Sequence, residues 1–101
     1  MVQGHVDGVG TIDSVASDGI ARRVRIEAPP EVMRYVIEKG SVAVDGVSLT
    51  VAGMDSRSFT VSLIPETLHR TNLGHAGPGD RVNLEVDVLA KYVEKLMGPR
   101  P

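Results

Sequence analysis

Residues 41–51 read Ser41-Val42-Ala43-Val44-Asp45-Gly46-Val47-Ser48-Leu49-Thr50-Val51. Two short alternating runs flank an Asp-Gly pair, the strongest local signal for a tight β-hairpin, because both central residues of such a turn need a positive φ. Ser48 and Thr50 stand two apart and so share one face of their strand. The hairpin sets the reading of the chain on either side of it.

Toward the N-terminus, Lys39-Gly40 reads as the end of a helix, with a basic last turn and a glycine at the position after the cap. That helix opens at Pro30 and carries Val32, Met33, Val36 and Ile37 at helical spacing. Pro29-Pro30 ends a preceding strand, since proline offers no ladder donor. In that strand Ile20, Arg22, Val24 and Ile26 point one way, and Ala21, Arg23, Arg25 and Glu27 the other. Asp18-Gly19 reads as a tight turn joining it to a first strand over residues 4–15. There Gly8 and Gly10 mark a bulge or a close backbone approach.

Toward the C-terminus a strand is expected over residues 58–64, then a short helix opened by Pro65-Glu66-Thr67-Leu68 with proline at its first position. Residues 74–80 form a loop and residues 81–86 alternate as a sixth strand. Over residues 88–97, Leu89, Tyr92, Val93 and Leu96 fall on one helical face, and Gly98-Pro99 stops the helix. Six strands with short connecting helices predict a small all-β barrel over residues 1–87, with residues 88–101 a helix and tail of the same domain. Closure of the barrel would remove the edges that an open sheet exposes.

Composition agrees. Of 101 residues 42% are hydrophobic, yet only Tyr35, Phe59 and Tyr92 are aromatic, so the core must be aliphatic. Its abundant valine suits a pleated sheet. The net charge is −2, and acids and bases are interspersed, so no basic block exists to track a phosphate backbone. Without cysteine, disulfides, thiolate catalysis and thiolate metal sites are excluded together. No apolar run approaches a membrane span and Met1 is not followed by a signal-peptide pattern. The expectation is a cytoplasmic protein that handles a small molecule.

The motifs themselves are modest. Gly4-His5-Val6-Asp7-Gly8-Val9-Gly10 has the wrong glycine spacing for a dinucleotide fingerprint, and Gly77-Pro78-Gly79-Asp80 lacks the lysine of a phosphate loop. His5, His69 and His75 do not pair at metal-binding spacing, so no metal is expected. Ser48 and Thr50 read most simply as exposed hydroxyls on the outer face of a strand. Asp87 suits the N-cap of the terminal helix, and Lys39 a helix C-terminus.

The order of segments is more specific than any one of them. Gly4-His5-Val6-Asp7-Gly8, Lys39-Gly40, Val44-Asp45-Gly46-Val47-Ser48-Leu49-Thr50-Val51, Leu63-Ile64-Pro65-Glu66-Thr67-Leu68, Arg70-Thr71-Asn72-Leu73-Gly74 and Gly79-Asp80-Arg81-Val82-Asn83-Leu84-Glu85 together resemble the riboflavin synthase family. The similarity runs over residues 2–97. The family carries two such barrels in tandem. This chain is similar to the second, because it opens on Gly-His-Val and has Ser48 where the first barrel has a cysteine.

The resemblance implies a six-stranded antiparallel Greek-key barrel and a dismutation of two 6,7-dimethyl-8-ribityllumazine molecules. The products are riboflavin and a ribitylamino-pyrimidinedione, and neither cofactor nor metal is needed. It implies a substrate pocket of Gly4, His5, Val6, Lys39, Ser48, Leu49, Thr50, Ser62, Leu63, Ile64, Pro65, Glu66 and Thr67. Residues 62–67 would hold the ribityl chain and ring carbonyls. His5, Ser48 and Asp87 are the candidates for the chemistry, with His5 the group for proton transfer. The implied partners are the small-molecule pteridine, the N-terminal barrel facing this one, and further copies of the chain in a trimer, with no nucleic acid and no membrane. Two other readings are a non-catalytic pteridine carrier like the lumazine proteins, and a generic small barrel of the translation-factor or flavoreductase kind.

Overall fold

The structure, a computed structural model, describes residues 6–64, 76–86 and 96. Within them lie six strands, β1 (Gly8–Asp18), β2 (Ala21–Glu27), β3 (Ser41–Val44), β4 (Val47–Met54), β5 (Ser58–Leu63) and β6 (Arg81–Val86), and one short helix, α1 (Pro30–Met33). The strands form a closed barrel in the order β1-β2-β5-β4-β3-β6, with β6 pairing back onto β1. Every neighbouring pair is antiparallel.

The Asp-Gly hairpin forms as expected. Val44 pairs with Val47, and Asp45 (φ 49°) and Gly46 (φ 84°) both take the left-handed backbone that a two-residue turn of this hand requires. The first hairpin turns one residue later than Asp18-Gly19. Asp18 pairs with Ala21, so Gly19 (φ 64°) and Ile20 are the central residues, and Ile20 is left 83% exposed. Glycine takes the position that demands positive φ, and isoleucine is displaced into the loop.

Of the two outcomes expected at Gly8 and Gly10, close approach is the one realised. A Cβ on Gly10 would lie 2.7 Å from Leu84 Cδ1, 2.8 Å from Ile26 Cγ2 and 2.9 Å from the Glu27 carbonyl oxygen. One on Gly8 would lie 2.7 Å from Val32 Cγ2. The register irregularity in β1 falls between Ile12 and Ser14, and a second in β4 between Val51 and Gly53. Such irregularities bend strands and help them wrap into a barrel.

The helix after Pro29-Pro30 is shorter than its apolar spacing suggests. Only Pro30–Met33 is α-helical. The chain then tightens, with Tyr35 and Val36 donating to the carbonyls of Val32 and Met33 three residues back. By Lys39 the chain is already paired with the sheet, its N–H donating to the Val51 carbonyl on β4 at 2.8 Å. Lys39 (φ 69°), not Gly40, takes the left-handed conformation. Val32, Met33 and Val36 are buried as expected, and Ile37 is 59% exposed.

Alternation fills the interior. Ile12, Val24, Ile26, Val42, Val44, Leu49, Val51, Phe59, Val61, Leu63, Val82, Leu84 and Val86 point inward, and Val32, Met33 and Val36 cover one end. Each such side chain contributes roughly 1.5–3 kcal/mol by leaving water. The short helix at Pro65 lies outside the described residues. So does the terminal helix, save Leu96, which is helical and 67% exposed.

Candidate functional site

The alternation that fills the core fixes what faces out. On β4, Leu49 and Val51 are buried while Ser48 and Thr50 are exposed; on β5, Val61 and Leu63 are buried while Ser62 is exposed. β3 supplies Ser41 and Ala43, registered opposite Thr50 and Ser48. β4 and β5 are neighbours with Val51 opposite Val61, so Thr50 and Ser62, which flank that pair, lie across from one another on the outer face. Ser62 is in turn opposite Arg23 on β2. A row of small, hydroxyl-rich side chains therefore crosses three strands, flanked by a guanidinium. Hydroxyls presented on such a face can donate to or accept from the polar edge of a small molecule.

Lys39 stands at the end of this face. Its N–H donates to the Val51 carbonyl, and the Val51 N–H donates to the Gly40 carbonyl at 2.9 Å. These bonds extend the β3–β4 ladder by one step and hold an exposed lysine one residue beyond Thr50. A lysine kept at positive φ is a strained backbone, of the kind retained where a side chain must point a particular way.

β6, on the other side of β3, brings in the N-terminal segment. Asp7 donates its N–H to the Leu84 carbonyl at 2.8 Å, and its carboxylate Oδ2 accepts from the Val86 N–H at 2.9 Å. Val6, immediately before it, is 46% exposed. Val86 pairs with Val42, so the chain leaves β6 beside β3.

Of the residues expected in a pocket, the structure thus brings Lys39, Ser48, Thr50 and Ser62 to one outer face, with Ile64 exposed at the end of β5. Leu49 and Leu63 turn their side chains into the core and have only backbone to offer a ligand. Gly4, His5, Pro65, Glu66, Thr67 and Asp87 lie outside the described residues, as do His69 and His75. Among the described residues no group of three or more His, Asp or Glu side chains could hold a metal ion, and no helix is long and apolar enough to cross a membrane.

One acid with a lowered pKa, Asp55, lies away from this face, in the β4–β5 turn. The Asp55 carboxylate is held below its ordinary value, first by the Arg57 and Ser58 backbone N–H groups at 2.8 Å, then by the Ser58 hydroxyl, and least by the charge of Arg25. Arg25 Nη2 meets it at 2.6 Å while Arg25 Nε donates to Ser58 Oγ. This cluster closes a turn. Sequence reasoning passed over it, and also over Asp7 and Asp45, whose carboxylates accept from backbone N–H groups of β6. The short-range pattern Asp-x-x-Ser around Asp55 could have indicated that turn.

Fold and outer face together define a class, and the sequence profile described as "Lumazine binding domain" matches residues 3–87. The chain belongs to the lumazine-binding domain family. More particularly, it is 56% identical over 100 residues to riboflavin synthase of Mycobacterium tuberculosis, covering 96% of this chain and 50% of that protein. It is 46% identical over 101 residues to riboflavin synthase of Actinobacillus pleuropneumoniae, covering 100% and 47%. The chain spans about half the length of the curated relatives it matches. Among solved structures, LumP complexed with 6,7-dimethyl-8-(1'-D-ribityl) lumazine aligns with a TM-score of 0.80 at 26% identity, over 87% of this chain and 49% of that one. LumP complexed with riboflavin aligns with a TM-score of 0.80 at 22% identity, over 86% and 47%, a likeness of fold.

Proposed function

We propose that the chain is the C-terminal half-site of a riboflavin synthase and binds 6,7-dimethyl-8-ribityllumazine on its outer β3-β4-β5 face. The observation that carries this reading is the convergence of Lys39, Ser48, Thr50 and Ser62 on that face in a chain more than half identical to riboflavin synthases. Ser48 and Thr50 supply hydroxyls to the ring. Ser62 and the residues up to Thr67, Glu66 among them, hold the ribityl chain and ring carbonyls. Gly4, His5 and Val6 form a further wall.

In the dismutation one bound molecule gives a four-carbon unit to the other, yielding riboflavin and 5-amino-6-ribitylamino-pyrimidinedione. The two must be stacked face to face, so much of the rate gain is orientation. A proton must leave the 7-methyl group, whose anion is delocalised into the pteridine. His5 is our candidate to move it, with Ser48 and Asp87 positioning or polarising. The second molecule sits on the N-terminal barrel facing this one, so the chain by itself binds ligand and turns it over poorly. The return of β6 to the side of β3, giving the order β6-β3-β4-β5, supports a Greek-key winding. A cytoplasmic enzyme assembled as a trimer through its terminal helix completes the proposal.

Fluorescence titration with riboflavin and 6,7-dimethyl-8-ribityllumazine tests it, repeated on His5→Ala and Ser48→Ala. We expect saturable binding, weakened by both substitutions with the folded state intact. A folded chain that quenches neither ligand would overturn the proposal. The carrier reading is supported by the likeness to LumP; it predicts the same binding but no turnover when the N-terminal barrel is added.

A further inference from the structure

The ladder between β4 and β5 runs from Met54–Phe59 to Val51–Val61 and stops there, although both strands go on. Beyond that point β4 keeps to β3, with Thr50, Leu49, Ser48 and Val47 registered opposite Ser41, Val42, Ala43 and Val44. β5 keeps to β2, with Ser62 and Leu63 opposite Arg23 and Arg22. In an antiparallel ladder successive residues of a strand bond to opposite neighbours. Val51 bonds toward β3, through Lys39 and Gly40, so Leu49 does the same, and Ser48 and Thr50 turn their backbone N–H and C=O toward β5. On β5 the Arg57 carbonyl accepts from the Ala28 N–H at 3.1 Å, so residues 59, 61 and 63 bond to β2 and Ser62 turns its backbone toward β4. Among the described residues, Ser48, Thr50 and Ser62 have no ladder partner across the parting.

The parting begins at a miscount. Between the pairs Val51–Val61 and Gly53–Thr60, β4 has one residue more than β5, the exposed Ala52. Strand alternation sets a single residue between Val51 and Met54, opposite Val61 and Phe59; here Ala52 and Gly53 both stand there. An extra residue of this kind bends its strand and sharpens the twist. Val51 has no exposure and is bonded on its β3 side, so beyond it β4 follows β3 and leaves β5. We infer that Ala52 is a positioning residue: as the extra residue of β4 it ends the β4–β5 ladder and keeps the backbone groups of Ser48, Thr50 and Ser62 open to a ligand. This rests on the ligand-binding reading above. Ala52 does not touch ligand in this account. The three residues it frees are the exposed ones of their strands, so each offers a hydroxyl and a main-chain donor and acceptor together. A completed ladder would tie those main-chain groups to each other.

The test deletes Ala52 from the 101-residue chain. One residue then separates Val51 from Met54, and the register continues with Thr50 opposite Ser62. Three quantities are measured on parent and variant: Tm, amide hydrogen exchange by NMR, and riboflavin affinity by fluorescence titration. We expect the shortened chain to melt at or above the parent's Tm. Its Thr50 and Ser62 amides should exchange about tenfold more slowly or less, having gained ladder partners. Riboflavin should bind about tenfold more weakly for each ligand hydrogen bond displaced. A residue with a merely structural role would lower Tm and affinity together. If the chain without Ala52 does not fold, deletion of Gly53 restores the same count with alanine in the outward place and is read in the same way. Undiminished riboflavin binding by a folded shortened chain overturns the inference, as does lost binding with Thr50 and Ser62 exchange unchanged. Failure of both shortened chains to fold overturns it too, because the extra residue would then serve the barrel and not the site. In each of these cases riboflavin binding by the parent leaves the ligand-binding reading standing. A folded parent that binds neither riboflavin nor 6,7-dimethyl-8-ribityllumazine overturns that reading, and the inference with it.

Discussion

Replacing Gly10 by alanine tests whether the barrel is closed where β1 runs between β2 and β6. The new methyl carbon would stand 2.7 Å from Leu84 Cδ1, 2.8 Å from Ile26 Cγ2 and 2.9 Å from the Glu27 carbonyl oxygen. Two of these are side-chain ends, but both belong to residues no more than 1% exposed, with filled space behind them. The third is backbone and cannot swing away. Overpacking a filled core costs about 1–3 kcal/mol, and three simultaneous contacts place this case near 3. For a domain of this size that lowers Tm by roughly 10–20 °C. Gly53→Ala is the matched control, since a Cβ there meets nothing within 4 Å. Its smaller unfolded-state entropy should leave Tm unchanged or a few degrees higher. Circular-dichroism melts at one protein concentration measure both, with urea m-values to check that the same surface unfolds. Equal melting of Gly10→Ala and the parent would refute the reasoning, because it would mean that the three neighbours do not converge on Gly10.

Three other outcomes follow from features of the fold. Lys39→Gly removes a left-handed strain and should stabilise the chain by about 1 kcal/mol while weakening riboflavin binding; a fall in Tm would show that no strain was stored there. Asp55 has a folded pKa below its ordinary 3.8, so its stabilisation is present above that value and lost as pH falls through the lowered one. Urea unfolding below about pH 4 should therefore show a shallower acid loss for Asp55→Asn than for the parent, and parallel profiles would contradict the assignment. Leu84→Ala, at a position with no exposure, should cost about 2–5 kcal/mol, and a smaller loss by urea titration would mean the core can collapse around it.

What could be read without coordinates was what local backbone chemistry decides. Asp45-Gly46 carries its turn in two residues whose φ values any partner strand must accept, so that hairpin was legible. Ser48 and Thr50 could be put on one face because period two leaves no choice once the strand is identified. The pairing of residue 39 with the sheet could not be read, because the Val51 carbonyl that takes the Lys39 N–H belongs to a strand formed later in the chain. The same holds for Arg22. Its place in the inward row was plain, but its acceptor, the Ala76 carbonyl, is reached only when the barrel has wound through β5. Leu49 and Leu63 add a point about motifs taken whole: a segment can run along a candidate site while every second side chain belongs to the core.

The ladder between β1 and β6 has a consequence for synthesis. Asp7 and Val86 meet although 79 positions separate them, so the sheet stays open until nearly all of the described chain has emerged from the ribosome. Until then the unpaired side of β1 is a free edge with aliphatic residues behind it, and the long-range closure makes the last step slow. A transcript cut short before Arg81 would therefore yield an open five-stranded sheet with sticky edges, which cellular quality control should recognise and remove.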